Sequence, residues 1–97
     1  MPYRVVYSEF VRVALTGLLA KAGKIGRGSE FLAAVKEMDR RLRIYPQFGQ
    51  PLLDLVLQPG QVWIGVIAPL VIRYAIFEDQ RIVMVAAPIM PLPRSGL

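Results

Sequence analysis

Lys36, Arg40 and Arg43 recur at i, i+4 and i+7, and Lys24 and Arg27 stand in the glycine-rich run Gly23-Lys24-Ile25-Gly26-Arg27-Gly28. These are the first groups in the chain that could bind an anion. A cationic stripe at helical spacing shares one face and can meet phosphates or an acidic partner. Glu37 with Arg41 and Asp39 with Arg43 are spaced as i, i+4 ion pairs that partly neutralise the same surface, so an ordinary solvated helix face is the stronger expectation. The glycine run lacks the spacing of a phosphate-binding loop and no Lys-Ser/Thr pair follows it. It is expected to be a turn between two helices. Trp63, the single tryptophan, reads as core packing in a strand; exposed, it would be the best partner anchor in the chain.

What is missing narrows the chemistry further. The 97 residues contain no histidine, the usual general base and commonest metal ligand, and no cysteine. Disulfide frameworks and cysteine metal sites are excluded; no cofactor or metal is expected, and a cytoplasmic location fits. Twelve Lys+Arg against seven Asp+Glu give a formal charge of +5, with a sequence pI of about 10.1. That balance suits nucleic acid or an acidic protein partner, although arginine that merely solubilises a greasy domain would produce it too. Hydrophobic residues make up 55% and the mean hydropathy is +0.45, high for a small globular chain. Part of that apolar surface is expected to meet a partner.

The elements that must position these residues are marked by period and punctuation. YRVVY, 3–7, is β-branched and aromatic, a first strand. Ser8 is an N-cap, and Val11, Leu15, Leu18 and Ala22 form one apolar stripe, giving a helix over 9–22. Arg4, the apolar stretch 13–20 and Ala20-Lys21-Ala22 imitate a secretion signal, but Glu9 and Arg12 interrupt its apolar core, so export and a membrane span are not expected. Ser29 is read as a second cap, and Phe31, Val35, Met38, Leu42 and Tyr45 give a helix over 30–45 that turns these five residues to a core. Pro46 stops it.

A strand at 53–57 precedes the longest apolar region, 62–87. Pro69 and Arg73 break that region too early for a membrane helix. Turn signals at Pro59-Gly60, Ala68-Pro69 and Glu78-Asp79-Gln80 divide it into three antiparallel strands. Val62, Ile64 and Val66 fall on one face and Trp63 and Ile67 on the other, so both faces are apolar and two helices can cover only one. The segment 88–97 is expected to leave the sheet as an extended Pro-rich tail, since its prolines lack the N–H donor of a central strand. The class is α+β in one domain, 1–97: a helical hairpin on one face of a small antiparallel sheet, in the order β-α-α-β-β-β(-β).

Three stretches resemble the RelE/ParE superfamily of toxin–antitoxin toxins, which includes plasmid stabilisation proteins. YRVVYSEF is similar to the family's first strand and the start of helix one. FLAAVKEMDRRLRIYPQFGQPL, 31–52, resembles its second helix and the Pro-x-x-Gly-x-Pro turn after it. IRYAIFEDQRIVMVAA, 72–87, resembles its paired strands around an acidic turn. The resemblance implies a RelE/ParE-like fold and a small basic protein held in check by a cognate antitoxin. It implies either ribosome-dependent or free endoribonuclease action on mRNA or poisoning of DNA gyrase.

For a nuclease, the nearest counterparts of the family's phosphodiester-polarising groups are Arg73, Tyr74 and Arg81. Guanidinium groups would stabilise charge on phosphorus and a phenol would serve as acid or base. Arg73 and Tyr74, as strand neighbours, point to opposite faces. After the last strand the chain has Ala87-Pro88-Ile89-Met90-Pro91, with only Arg94 beyond, where nuclease members carry a basic cluster. This departure favours a ParE-like inhibitor that works by protein contact, through Trp63, Lys36, Arg40, Arg43 and Arg94. The alternatives are the endoribonuclease and an inactive homologue serving as an interaction domain, including a homodimer through the apolar sheet face.

Overall fold

The computed structural model describes residues 2–56 and 61–91, with only the backbone described at 53–56 and 87–91. β1 (Arg4–Tyr7) leads into α1 (Glu9–Lys24). Ser8 is the N-cap, its hydroxyl accepting from the Val11 amide at 3.2 Å, which satisfies a donor the helix leaves orphaned. Val11 and Ala22 are fully buried, and Leu15 and Leu18 pack partly against the core.

The glycine run reverses the chain. The Arg27 amide donates to the Ala22 carbonyl at 2.8 Å, and Gly26 takes φ +77, a left-handed conformation that glycine adopts without a Cβ clash. A Cβ on Gly28 would lie 3.4 Å from Gly23 Cα, so the helix ends nearly touch. α2 (Gly28–Ile44) starts earlier than the pattern suggested, with Arg27 at the cap and no side-chain cap bond. Ser29 therefore lies inside the first turn and is not the cap. That turn is held instead by the Arg27 guanidinium forked onto Glu30 at 2.7 and 3.0 Å, a charge-assisted pair with its carboxylate near the positive end of the helix.

Phe31, Met38 and Leu42 are buried as the stripe requires and Val35 partly so. Tyr45 corrects the expectation: it is 59% exposed, because the helix ends at Ile44 and the chain turns away from the core there. A short 3₁₀ turn over Pro46–Phe48 follows.

The sheet is completed by β2 (Gln50–Val56), β3 (Gln61–Ile67), β4 (Leu70–Phe77) and β5 (Ile82–Pro91). Its spatial order is β1-β5-β4-β3-β2. The helical hairpin carries the chain from one edge to the other, and the meander β2 to β5 brings it back beside β1. β1 and β5 are consequently parallel while the other pairs are antiparallel, so the sheet is mixed and not purely antiparallel. A cis peptide joins Ala68 to Pro69 in the β3–β4 turn.

β5 also runs further than expected. The Pro-rich stretch through Pro91 stays paired with β4, Met90 opposite Val71 and Pro91 opposite Leu70. β1 accompanies β5 only as far as Val85. Beyond that point β5 has β4 on one side and no described strand on the other, an edge-like position where a missing proline donor is tolerated. Residues 92–97, with Arg94, lie outside the described residues, as does the Pro59-Gly60 turn.

β4 alternates buried and half-buried along its whole length. Leu70, Ile72, Tyr74 and Ile76 join Val83 and Val85 of β5, Val5 of β1 and the helical stripes in one core. The other set forms a face that neither helix covers, the open face of the sheet.

Candidate functional site

The uncovered sheet face follows from register. Cross-strand partners share a face, so Val6 lies with Met84 and Ala75, and Ile64 with Arg73 and Ala86. Val66 and Val71 extend the row at one end, Phe77, Ile82 and Arg4 at the other. Val66 is 53% exposed and Met84 45%; Ile64, Val71, Ala75 and Phe77 are half-buried, and Val62 alone is buried. The helices do not reach this side, whose described side chains are apolar apart from Arg4, Arg73 and Gln50. Arg73 stands in the middle of it, half-buried, with no ion pair or side-chain hydrogen bond among the described residues.

A guanidinium held on an apolar surface with no described carboxylate beside it is a poor arrangement for an isolated chain. The guanidinium presents five donors in a planar fork, a geometry that matches a carboxylate.

Tyr74 occupies the opposite face, as strand alternation required. It is fully buried, its hydroxyl donating to the Pro46 carbonyl at 2.6 Å and its ring stacked 5.8 Å from Phe48. Burial pushes its phenol well above the ordinary range, against a backbone hydrogen bond with Gly49. Arg81 lies at the β4–β5 turn with φ 53, its guanidinium 4.4 Å from the Tyr3 ring centroid. Glu78 in that turn accepts from Tyr3 at 2.9 Å and from Gln47 at 2.7 Å, tying the turn to the 3₁₀ segment. Phe77, beside the turn, is four residues from Arg73, about 13 Å along the strand. Arg73, Tyr74 and Arg81 thus occupy an open face, a sealed core and a strand end, and do not converge on one phosphodiester.

Trp63 lies across from Tyr74 and packs, half-buried, against the core on the helix side. In α2, Arg40 and Arg41 both bind Glu37, at 2.6 and 2.7 Å, and Arg43 binds Asp39 at 2.7 Å. The two guanidinium groups pull the Glu37 carboxyl down to about 2. Of the cationic stripe, Lys36 alone lacks a described partner. Asp39 also accepts from the Tyr7 hydroxyl at 2.7 Å, which ties α2 to β1. Sequence reasoning missed both this link and the Pro46 carbonyl that receives Tyr74; each joins segments far apart in sequence, and no local pattern signals either.

Burial, the Asp39 hydrogen bond and the Asp39 charge likewise raise the Tyr7 phenol well above its ordinary value. A group whose pKa is raised by folding costs nothing below its unfolded value and loses stability above it. Tyr7 and Tyr74 should therefore stay protonated as pH passes 10.0, the ordinary tyrosine value, while the unfolded chain ionises. Stability should fall from about pH 10 upward. Phenolate absorbance followed during alkaline titration should show two of the four tyrosines ionising only as the fold is lost. Four early, independent ionisations would refute the burial assigned to these two.

Among the described residues no three acidic side chains converge on a point, and no helix there is long and apolar enough to cross a membrane. Compared with family models, with characterised proteins and with solved structures, the chain has no significant match.

Proposed function

We propose that the protein is a ParE-like toxin component: a cytoplasmic inhibitor that acts by binding a protein target of the gyrase type and is neutralised by a cognate antitoxin. The observation that carries this reading is the uncovered apolar sheet face with Arg73 at its centre. Two further points support it. Tyr74, the one phenol that a phosphodiester mechanism would draw on, is sealed beneath the opposite face with its hydroxyl already donated. The order of one strand, two helices and four strands is the order expected from the resemblance to the RelE/ParE superfamily. Self-association through the sheet face is the weaker reading, since a second copy would add its own Arg4 and Arg73 to a face with two cations and no described carboxylate.

The experiment is induction in bacteria with and without the neighbouring reading frame. The expected result is growth arrest that the neighbouring product relieves, with DNA breaks accumulating while transcripts stay intact. Ribosome-dependent transcript cleavage would replace this reading with the endoribonuclease. Unchanged growth at good expression would sink both and leave an interaction domain.

A further inference from the structure

The side of α1 turned away from the core has a pattern of its own. Phe10, Val13, Gly17, Ala20 and Lys24 follow one another at alternating spacings of three and four residues, so they line one stripe along the helix. Val11 and Ala22 are buried on the opposite side. Phe10 and Val13 are 68% and 66% exposed, and Gly17 and Ala20 are exposed as well. A Cβ on Gly17 would meet nothing within 4 Å, so the middle of the stripe is open space.

The charges of the stripe stand at its two ends. Glu9 opens the helix, and Lys21 and Lys24 close it. All three are exposed, and none has an ion pair or side-chain hydrogen bond among the described residues. Glu9 and Lys24 are about 22 Å apart along the helix axis, too far to meet within one chain. Each end thus holds a charge whose complement lies at the other end, with an apolar strip of small residues between them.

We propose that a second copy of the chain packs on this stripe, α1 against α1 in antiparallel sense, with a twofold axis at Gly17. The surface is self-complementary in that arrangement. Gly17 lies against its own copy and lets the two helices approach closely. Val13 of each copy enters the space beside Gly17 and Ala20 of the other, Phe10 lies under the lysine stems, and Glu9 stands beside Lys24. A parallel pair would set Glu9 against Glu9 and lysine against lysine, and an anionic bilayer would have to accept Glu9; the antiparallel copy meets both charges. One helix pair buries less than the roughly 800 Å² per partner of a standard interface, so the dissociation constant is expected at about 10–100 μM. The inference does not rest on the proposed inhibitor function. Because α1 lies on the covered side of the sheet, the dimer leaves both open faces free and presents two of them.

The test is sedimentation velocity of the full chain from about 5 μM to about 500 μM, where a monomer–dimer equilibrium should appear. Glu9→Lys alone, and Lys21→Glu with Lys24→Glu, should each weaken association about tenfold or more, because each sets like charges together at both ends of the pair. Mixed in equal amounts, the two variants should associate again, since each brings the charge that the other lacks. Gly17→Arg should keep its helical circular dichroism, the space around Gly17 being open in the single chain, and stay monomeric at every concentration. Arg73→Glu, on the open sheet face, should dimerise as the unaltered chain does. A single monomeric species throughout, dimers that survive Gly17→Arg, dimers lost in Arg73→Glu, or a mixture that fails to associate would each overturn the proposal. Binding to phosphatidylglycerol vesicles that Gly17→Arg abolishes, without self-association, would assign the stripe to a membrane surface instead.

Discussion

Gly65→Ala and Gly49→Ala should each destabilise the protein, and Phe48→Ala should relieve only the first. Gly65 is buried in β3, and a Cβ there would stand 2.8 Å from two atoms of the Phe48 ring and 3.2 Å from Tyr74 Cε1. A ring edge can shift, and overpacking of this sort costs about 1–3 kcal/mol. Gly49 is tighter. Its Cβ would collide with the Ile64 carbonyl oxygen and stand 2.7 Å from the Tyr74 hydroxyl. A backbone carbonyl cannot rotate aside without disturbing the β2–β3 pairing of Gln50 with Ile64, so about 3 kcal/mol or more is expected.

For a chain of this size that is a large share of the total stability, and it should lower the midpoint of thermal unfolding by roughly 10–20 °C. In a Phe48→Ala background the cost of Gly65→Ala should shrink by about 1 kcal/mol or more, while that of Gly49→Ala should not change. Denaturant unfolding of the two double-mutant cycles measures both. Equal coupling in the two cycles would mean that Phe48 does not sit over Gly65 as described.

These two glycines also mark what could be read from the residues and what could not. The helices and the strands 61–67 and 70–77 were legible because each has a local period. Val11 to Ala22 repeats at helical spacing, and Leu70 to Phe77 alternates one in, one out. The glycine run was legible as a turn because its residues fit no phosphate-loop spacing. The role of Gly65 was not, since the Phe48 ring that covers it comes from a segment that reads only as a turn. The parallel pairing of β1 with β5 joins residues nearly eighty positions apart, and no local pattern encodes it. The length of β5 was misjudged for a related reason. Whether a proline can stay in a strand depends on how many neighbours that strand has there, and the neighbour in question, β1, lies at the other end of the chain.

The site was legible in part. Alternation alone put Arg73 and Tyr74 on opposite faces, and the presence of only two helices meant that one apolar face of the sheet would be left without a helix over it. Both alternating sets are apolar, however, so the sequence did not say which one the helices would take. That choice follows from Pro46 and Phe48, which draw Tyr74 inward. The ion-paired face expected for α2 is present, but Glu37 is shared between Arg40 at i+3 and Arg41 at i+4, a sharing that pairwise spacing rules do not reveal. Among the described residues, the cations with no ion pair or side-chain hydrogen bond are Arg4 and Arg73 on the sheet and Arg12, Lys21, Lys24 and Lys36 on the helices, and only Lys36 belongs to the cationic stripe of α2.

Val66→Asp combined with Met84→Asp should abolish target binding and growth arrest without unfolding the protein. The two side chains are 53% and 45% exposed on strands separated by β4, so they sample the breadth of the open face. At exposed positions such changes cost the fold little. A partner that buries the same positions would have to desolvate two carboxylates, and central contacts of an interface carry about 2 kcal/mol or more each, roughly a 30-fold loss of affinity per position. Arg73→Ala should weaken binding by a comparable factor, because a partner acid placed against the guanidinium would be left unpaired in an apolar interface. Arg81→Ala and Tyr74→Phe discriminate in the other direction. The nuclease reading requires both to abolish arrest, whereas contact through the open face leaves arrest intact in both once protein levels are equalised, since Tyr74→Phe strands the Pro46 carbonyl and lowers stability by about 1–3 kcal/mol. Growth arrest that survives Val66→Asp/Met84→Asp and disappears in Arg81→Ala would move the active surface from the sheet face to the β4–β5 turn.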